Sequence, residues 1–408
     1  ACEKLLAMAS ASPSSAFIVT ISRRGADRIR AGHVWVYRSD VVEAKDVPPG
    51  AVVTVQSGSD RSVRATRVLG SALYSSTSEI AIRMISRAPV ENLDQLVRER
   101  IRAAIAYRER FVRDTNAYRV IFSEGDLLPG LIVDRYNDVL VFQVLAQAWD
   151  GPGMRELFLP ELQNAFRPAT IIERVDPRVR KLEQLPEKDT SLVSGTRSSA
   201  EFHMNGARFL FDALAGQKTG AFLDQRENYS AAAQYAQGEA LDAFCYQGGF
   251  ALHLARVCEK VTGVDSSRPA LEAAEQNARL NGHEIEWIEA NAFDLLRDYS
   301  DAGRQYDCIV LDPPAFARSR QNLPTALRGY KELNLRALKM LRPGGILVTC
   351  SCSYHVSAAD LVETVAAAAA DSHRIVRILE NRGQSKDHPS ILGIPETAYL
   401  KCLIANVS

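Results

Sequence analysis

The chain has 408 residues, of which 46% are hydrophobic and 24% are charged, and its 49 basic and 49 acidic side chains cancel. No apolar run approaches the roughly 20 residues that cross a bilayer, which excludes a membrane span. The length predicts two or three domains, and the composition predicts a soluble intracellular enzyme or binding protein. Residues 1–16 are small and polar with hardly any basic charge, so we expect a disordered lead-in rather than a secretory signal.

Short alternating strands separated by turns fill residues 17–88, a pattern that predicts a small β-barrel. Residues 1–90 hold 12 Lys and Arg against 7 Asp and Glu, net +5, whereas residues 201–408 hold 21 against 25, net −4. A basic N-terminal domain suits a polyanionic partner, although a solvated basic surface explains the excess equally well.

The motif R-G-A-x-R-I-R-x-G-H-x-W-V-Y, which starts at Arg24, is followed by G-x-x-V-x-V. This stretch resembles a PUA domain, the RNA-binding barrel of pseudouridine synthases and RNA methyltransferases. The resemblance implies that basic side chains of the motif contact RNA phosphates. The candidates are Arg24, Arg28, Arg30 and His33.

A mixed α+β middle domain is predicted over residues 89–200. It begins with a helix at about 91–113, in which charges recur every four residues and Leu, Ile and Ala share one face. Strands with Pro-Gly and Asn-Asp turns follow, then a helix near 153–166 and strands at ATIIERV and HMNGARFLFD. The stretch SEGDLLPGLIVDRY resembles the linker domain between the PUA and catalytic domains of one class of rRNA methyltransferases.

Strands and helices alternate from residue 239 onward, within a domain predicted over residues 201–408. This alternation predicts a doubly wound, Rossmann-like α/β sheet of seven strands, in which ligands bind beyond the carboxyl ends of the strands. The predicted strands are EALDAFC, KVTGVD, EIEWIEAN, YDCIVLDPP, GGILVTCSC, RIVRILEN and AYLKCLIANV.

The segment LDAFCYQGGFALHLA contains the first of these strand ends, and its Gly248-Gly249 pair permits a tight turn and close approach of a ligand. The G-x-G-x-x-G fingerprint of NAD-binding domains is absent. Asp265 ends the second strand, 23 residues after Asp242, where a carboxylate can accept hydrogen bonds from ribose hydroxyls. Gly-Gly turns and Asp caps at strand ends also occur without a ligand. Their order here is typical of methyltransferases that use S-adenosylmethionine, for which the candidate contacts are Asp242, Phe244, Tyr246, Gly248, Gly249, Asp265, Asn291, Ala292 and Asp312.

The segment GQKTGAFLDQREN, residues 216–228, places many polar side chains directly before the first strand. It suggests a lid over the methionine end of the cofactor, where Arg226 could pair with the carboxylate. After the third strand, such methyltransferases commonly place an acidic residue that faces the adenine. Here this position is Asn291, whose amide oxygen can still accept from the adenine amino group. Segment 216–228 resembles K-T-G-x-F-L-D-Q-R, a recurrent cofactor-binding motif of the rRNA methyltransferases that carry this linker domain. The matching residues are Lys218, Thr219, Gly220, Leu223, Asp224, Gln225 and Arg226.

The segment IVLDPPAFARS ends the fourth strand. Asp312 can hold the polar edge of a planar base and Phe316 can stack on its face, while the two prolines fix the backbone between them. D-P-P-aromatic motifs belong to methyltransferases that act on bases. An Asp followed by prolines can also merely terminate a strand.

The seven cysteines are odd in number and mostly lie in apolar runs, which argues against disulfides and favours a reducing, cytoplasmic compartment. Cys350 and Cys352 end the fifth strand, next to Asp312 in a doubly wound sheet. The pair could be a metal half-site, a redox pair, ordinary packing or a nucleophile, and zinc is disfavoured because no second C-x-x-C or H-x-x-x-H accompanies it. Methylation of carbon 5 of cytosine requires such a thiolate, which must first add to carbon 6.

The whole chain resembles the bacterial 23S ribosomal RNA cytosine-5 methyltransferases that carry an N-terminal PUA domain. The resemblance implies a multi-domain α/β protein with a class I methyltransferase domain, S-adenosylmethionine as cofactor and 23S rRNA as partner. The T-x-S-C-S motif of that family makes Cys352 the nucleophile and leaves Cys350 a packing residue. Tyr354 in place of a small residue and the lack of a cysteine in DPPAF depart from the family patterns. The acceptor of the carbon-5 proton therefore stays open between Asp312, water and His355.

Two other functions stay open. A guanine or adenine N-methyltransferase of rRNA would use D-P-P-F equally well, and a non-catalytic RNA-binding assembly factor would keep the fold without the transfer. A homodimer is also left open, and no membrane partner is expected.

Overall fold

The computed structural model describes residues 17–58, 66–212, 221–317 and 319–408. The predicted lead-in and three residues of the predicted lid motif, Lys218, Thr219 and Gly220, lie outside these ranges. Of the helices described, none combines the length and the apolarity of a membrane span.

The N-terminal unit consists of β1 (Ile18–Ile21), α1 (Arg23–Arg30), β2 (Trp35–Tyr37), β3 (Val41–Glu43), β4 (Val52–Ser57), β5 (Arg67–Tyr74) and β6 (Ile80–Ser86). Its strands form one mixed sheet with the order β2-β6-β5-β4-β1-β3. Every second side chain of β4 is buried, as the alternation in its sequence requires. The hydroxyl of Ser22 accepts from the backbone N–H of Gly25 and so caps the basic helix α1.

The middle unit consists of α2 (Leu93–Phe111), β7 (Ala117–Phe122), β8 (Leu131–Tyr136), β9 (Val139–Val144), α3 (Leu159–Phe166), β10 (Thr170–Glu173), α4 (Pro177–Leu182) and β11 (Ser191–Ser194). Its strands form a sheet with the order β11-β10-β9-β8-β7. Val97, Ile101 and Ala104 recur along one face of α2 and are buried in the cluster that covers this sheet. The helix predicted at 91–113 corresponds to α2, and the one predicted near 153–166 is shortened to α3.

A hairpin of β12 (Ser199–Met204) and β13 (Ala207–Asp212) links the middle unit to the C-terminal one. The single strand predicted at HMNGARFLFD is thus wrong, because Asn205 and Gly206 have φ angles of 50° and 79° and turn the chain. An Asn-Gly pair between apolar runs is a hairpin signal, since both residues tolerate positive φ. Phe202 and Phe209 of the hairpin are buried with residues of the following sheet.

The C-terminal unit contains the predicted seven-stranded sheet. Its elements are α5 (Arg226–Tyr235), β14 (Glu239–Ala243), α6 (Gly249–Leu254), β15 (Lys260–Asp265), α7 (Arg268–Asn281), β16 (Glu286–Glu289), α8 (Ala292–Asp301), β17 (Tyr306–Leu311), α9 (Leu323–Met340), β18 (Leu341–Ser351), α10 (Ala358–Asp371), β19 (Val376–Arg382) and β20 (Lys401–Val407). The order is β16-β15-β14-β17-β18-β20-β19, and all pairs are parallel except those of β20 with β18 and β19. The predicted doubly wound α/β fold is confirmed, and its order reverses between β14 and β17, where ligands bind in such sheets.

The segment 383–400, called the C-terminal connection below, joins β19 to β20 and contacts the middle unit. Its Asp387 is fully buried, and the two carboxylate oxygens accept from the two Nη atoms of Arg226 at 3.0 Å. One of them also accepts from the backbone N–H of Arg119 in β7 at 2.8 Å. The carbonyl oxygen of Asp387 accepts from Nη2 of Arg108 in α2 at 2.7 Å. This residue therefore joins the C-terminal sheet to the middle one.

The same connection reaches the N-terminal unit. Oε2 of Glu396 lies 3.0 Å from Nε2 of His33. Gly393 packs against the backbone of Gly32 so closely that a Cβ there would lie 2.8 Å from the Gly32 carbonyl oxygen. One segment thus holds contacts with all three units.

Replacing Asp387 by Asn should destabilise the fold by about 3–5 kcal/mol, because the buried guanidinium of Arg226 loses its counter-charge. Burial works to raise the pKa of Asp387, but the Arg226 and His388 charges outweigh it and hold this pKa well below its ordinary value. The wild-type protein should therefore exceed the variant in free energy of unfolding by the full amount above about pH 4. This difference should shrink as the pH falls further. Urea unfolding followed by circular dichroism at several pH values measures both effects.

The matched control is Glu272→Gln, which removes the partner of Arg268 from a pair whose acidic side chain is 57% exposed. Such surface pairs contribute little, so this change should stay within about 0.5 kcal/mol. Equal destabilisation by the two substitutions would contradict the bridging role of Asp387.

Candidate active site

A cleft with a volume of about 750 Å³ opens at the carboxyl ends of the central strands. The loops after β14, β15, β16, β17 and β18 contribute to its walls, as do the segment before α5, the helix α4 and the β12–β13 hairpin. Every predicted motif of the C-terminal unit therefore borders one space.

The loop between β14 and α6 shapes one wall of the cleft. Phe244, Tyr246 and Gly248 have φ angles of 68°, 49° and 83°. Positive φ is strained for Phe and Tyr, so the surrounding packing must hold this loop in shape. A Cβ at Gly249 would lie 2.4 Å from the ring of Tyr229, so only glycine fits there. Phe244, Tyr246 and Gly249 line the cleft, whereas Gly248 does not.

Asp265 ends β15 and lines the cleft. Its Oδ2 accepts from the backbone N–H of Tyr246 at 2.9 Å, and its Oδ1 accepts from that of Ser267 at 2.9 Å. These bonds fix a carboxylate that offers about four acceptor positions, so roughly two stay available to a ligand. The arrangement fits the two hydroxyl groups of a ribose.

Asp242 lies behind the loop rather than in the cleft, which corrects its predicted role as a cofactor contact. It is fully buried, and its Oδ2 accepts from the backbone N–H of Ala251 in α6 at 2.9 Å. Its Oδ1 has no hydrogen-bond partner among the residues that the structure describes. Burial raises the pKa of Asp242 well above its ordinary value, and the carboxylates of Asp312 and Asp265 add to the rise. Asp242 therefore acts on the cleft only through the loop that it supports.

Asn291 and Ala292 lie at the start of α8, and both line the cleft. The Oδ1 of Asn291 accepts from the backbone N–H of Phe293 at 2.9 Å, so the side chain caps the helix. The amide oxygen expected to accept from an adenine amino group is thus already engaged, although its second lone pair remains.

The segment before α5 brings two of its predicted contacts to the cleft. Asp224 lines the cleft and accepts from the hydroxyl of Tyr399 at 2.6 Å. Gln225 lines it too, and its Nε2 donates to Oδ2 of Asp312 at 3.0 Å. Leu223 is buried in the core instead of facing the cleft.

Arg226 also lies outside the cleft, contrary to its predicted pairing with a cofactor carboxylate. Its side chain is 1% exposed, and its guanidinium is engaged by the carboxylate of Asp387. A cation already held by a buried counter-charge is not available to a ligand. Arg226 instead attaches α5 to the C-terminal connection.

Asp312, Pro313 and Phe316 follow β17 and line one end of the cleft. This end is called the acceptor end below. The ring centroid of Phe316 lies 4.7 Å from that of Tyr330 and 5.7 Å from that of Phe293. These two rings hold an aromatic surface beside the Asp312 carboxylate. A planar base needs this combination of an apolar face and a polar edge.

Cys352 follows β18 directly and lines the acceptor end, with its Sγ 4.0 Å from the carbonyl oxygen of Pro313. Cys350 is fully buried opposite Cys402 in the β18–β20 register, and burial raises its pKa well above the ordinary value. Cys245 also lines the cleft, but burial raises its pKa well above the ordinary value too. Because the thiolate is the reactive form, Cys352 is the thiol best placed for chemistry in the cleft.

Arg178 of α4 and Met204 and Phe209 of the hairpin are among the cleft residues that lie outside the sequence motifs. Their positions depend on how the middle unit and the hairpin pack against the C-terminal sheet. The Asn-Gly turn could have revealed the hairpin, but no local pattern reveals which sheet it covers.

The four residues predicted to contact RNA lie away from the cleft, in or next to α1. Arg24 and Arg30 each pair with an aspartate and keep side chains that are 67% and 43% exposed. The guanidinium of Arg28 lies over a tyrosine ring, 4.8 Å from its centroid. His33 is 14% exposed and faces Glu396, so it serves a contact between units rather than an open phosphate site.

The profile of the family described as "S-adenosylmethionine-dependent methyltransferase" matches residues 167–403, and that of the PUA-like domain matches residues 19–87. The chain is 36% identical over 384 residues to ribosomal RNA large subunit methyltransferase I of Photobacterium profundum, which covers 91% of this chain and 95% of the relative. The protein of the same name from Aeromonas hydrophila is 36% identical and covers 96% of this chain and 99% of the relative.

Two solved structures share the fold at 17% identity, and each match covers 95% of this chain and 99% of the other. One protein, assigned as a methyltransferase and crystallised with SAH, superimposes with a TM-score of 0.80. The other, from Streptococcus mutans and assigned as a SAM-dependent methyltransferase, superimposes with a TM-score of 0.79.

Replacing Asp265 by Ala should weaken the binding of S-adenosylhomocysteine about 10- to 100-fold, because the ribose hydroxyls lose a charged acceptor. Isothermal titration calorimetry gives the affinity. Glu289→Ala is the matched control, since Glu289 lies opposite Asp265 in the β15–β16 register, is exposed and does not line the cleft. An unchanged affinity in the Asp265 variant would show that the nucleoside binds elsewhere.

Proposed function

The chain belongs to the family of S-adenosylmethionine-dependent methyltransferases, and we propose that it forms 5-methylcytosine in 23S ribosomal RNA with Cys352 as nucleophile. The position of Cys352 carries this proposal: its thiol borders the cleft at the end that also presents Asp312 and Phe316. S-adenosylmethionine supplies the electrophilic methyl group from its sulfonium when bound.

The residues that line the cleft fit this cofactor. Asp265 offers acceptors to a ribose, and Asn291, Ala292 and Phe293 border the adjacent end, where an adenine would lie. The glycine at position 249 lets the ring of Tyr229 pack directly against the backbone of this wall. A methionine moiety would then extend toward Asp224 and the acceptor end.

The chemistry of carbon 5 explains why a thiol is needed there. The Cys352 thiolate would add to carbon 6, and the electron pair of the carbon 5–carbon 6 double bond would move to carbon 5. Carbon 5 would then bond to the methyl group as the sulfur–methyl bond of the sulfonium breaks, and its electron pair would stay on sulfur in the departing thioether. A base then removes the carbon-5 proton, and the electron pair restores the double bond as the bond between sulfur and carbon 6 breaks. His355 does not line the cleft, so Asp312 or a bound water is the better acceptor of that proton.

Asp312 and Phe316 position the base in this proposal. The carboxylate of Asp312 would accept from the exocyclic amine of cytosine, with Gln225 holding it in place at 3.0 Å. Phe316, supported by Tyr330, would stack on the ring.

The RNA substrate is proposed from the named relatives, which are large-subunit ribosomal RNA methyltransferases. A PUA domain over residues 17–88 and a middle domain over residues 89–200 would position this RNA for a catalytic domain over residues 201–408. Arg24 and Arg30 are the exposed candidates for its phosphates. The comparisons lend no support to the homodimer.

Methylation of a ring or exocyclic nitrogen of guanine or adenine is the second candidate. Asp312 and Phe316 suit such a base as well, because both act on the edge and face that all bases share. That reaction has no use for the thiol of Cys352, so the two candidates differ in one residue.

Replacing Cys352 by Ala should reduce methyl transfer to rRNA by at least about 1000-fold and leave the affinity for S-adenosylhomocysteine unchanged. Nucleoside analysis of the methylated RNA measures the transfer and identifies the product. The matched control is Cys350→Ala, which removes a thiol two residues away and should retain activity.

RNA that carries 5-fluorocytosine should trap wild-type protein as a covalent adduct, because fluorine cannot leave as the carbon-5 proton does. The Cys352→Ala variant should form no adduct. Full activity of that variant, or an N-methylated purine as the product, would refute the proposal.

A further inference from the structure

Lys401 is a buried ammonium group at the start of β20, and its side chain does not belong to any motif. The residue is 9% exposed, and its Nζ donates to the carbonyl oxygens of Ser353 at 2.6 Å and Tyr399 at 2.8 Å. No carboxylate of the described residues forms an ion pair with it. Burial lowers the pKa of Lys401 to about 8. A buried cation without a carboxylate partner is costly, which calls for another anionic neighbour.

Cys352 is the candidate for that neighbour, because it precedes the residue whose carbonyl oxygen Lys401 binds. Ser351 lies opposite Lys401, and Cys352 is the next residue along the chain. The hydrogen bond to Ser353 places the ammonium beside the residue that follows Cys352. An ammonium has three N–H donors, and the two carbonyl oxygens take two of them. Among the described residues no third acceptor binds this ammonium, and negative charge on Cys352 favours the protonated form of Lys401.

From this geometry we propose that Lys401 is a positioning residue that holds Cys352 in its thiolate form. The purpose of this contact rests on the proposed function, in which the thiolate adds to carbon 6 of cytosine. Lys401 acts only through Cys352 and the adjoining backbone. No histidine lines the cleft among the residues that the structure describes, so Lys401 supplies the activation that a cysteine nucleophile needs.

Within the described part of the chain, three elements bring other titratable groups near this thiol or near Lys401. Asp312 after β17 is an acid on the same cleft and opposes a second negative charge there. Tyr330 of α9 interacts with Cys352 and donates or accepts through its hydroxyl at Ser351 and Ser353, and burial raises its pKa. Asp360 of α10 acts on Lys401 and favours its charged form. Of the groups described here, Lys401 supplies positive charge that offsets the carboxylate of Asp312.

The test is the rate at which iodoacetamide alkylates Cys352 between pH 6 and pH 10, followed for this residue by mass spectrometry. In the wild-type protein the midpoint of the rate profile should lie below the roughly 8.5 of a free cysteine. Lys401→Met should move the midpoint up by about one pH unit, which slows alkylation at pH 7 about tenfold. Lys401→Arg should restore most of the rate because it keeps the charge.

Lys260→Met is the control, because this exposed lysine begins β15, which β14 and β17 separate from β18. It should leave the profile of Cys352 unchanged. A Lys401→Met profile that is uniformly slower without a shift of its midpoint would indicate a structural role and overturn the proposal. So would a wild-type midpoint at or above about 8.5, a result that does not depend on whether any variant folds.

The outcome is separable from that of the proposed function. If the midpoint depends on Lys401 but Cys352→Ala still methylates cytosine, the thiolate contact stands and the nucleophile assignment fails. If Cys352→Ala is inactive but Lys401→Met leaves the midpoint unchanged, the assignment of the nucleophile stands and the role of Lys401 is overturned.

Discussion

The buried carboxylate of Asp387 is the interaction on which the assembled molecule depends. It holds Arg226 at the start of α5 and the backbone of Arg119 in β7, while Arg108 of α2 binds the adjacent carbonyl oxygen. A buried charge is tolerated only where it is paired and hydrogen-bonded, so this group permits one arrangement of the segments around it. The middle sheet and the C-terminal sheet are thereby fixed to the same connection.

Fixing that connection also fixes the acceptor end of the cleft. The connection continues to Tyr399, whose hydroxyl binds Asp224, and ends at β20, where Lys401 binds the backbone beyond Cys352. Gln225, the residue before Arg226, reaches Asp312. Two carboxylates that line the cleft and the backbone beyond Cys352 are therefore bound by residues in or next to this connection.

The fold of that unit was predictable because its determinants are local. Strands and helices alternate, and the chemistry-bearing residues Asp265 and Asp312 come directly at or after strand ends, where a doubly wound sheet must bring them to one edge. Local cues were ambiguous for Asn291, whose position at the start of α8 suits both a cap and a ligand contact.

Residue roles that depend on distant partners were not predictable. Arg226 and Asp387 are 161 positions apart, and His33 and Glu396 are 363 positions apart. Each basic residue was expected to bind a ligand, because the acidic residue that engages it most closely lies far away in the chain. In the folded molecule the acidic partner is already present and removes the cation from the surface available to a ligand.

The sequence by itself determined which strands and helices form and which side chains stand at the strand ends, because periodicity, caps and turn residues act over a few positions. Only the tertiary structure decided that Cys350 is buried against Cys402 while Cys352 borders the cleft with Lys401 beside it. The two cysteines are separated by one residue and share their local pattern. Their environments differ because of segments from elsewhere in the chain. Cys402 of β20 covers Cys350, whereas Cys352 lies beside the loop after β17 at the cleft, near Lys401.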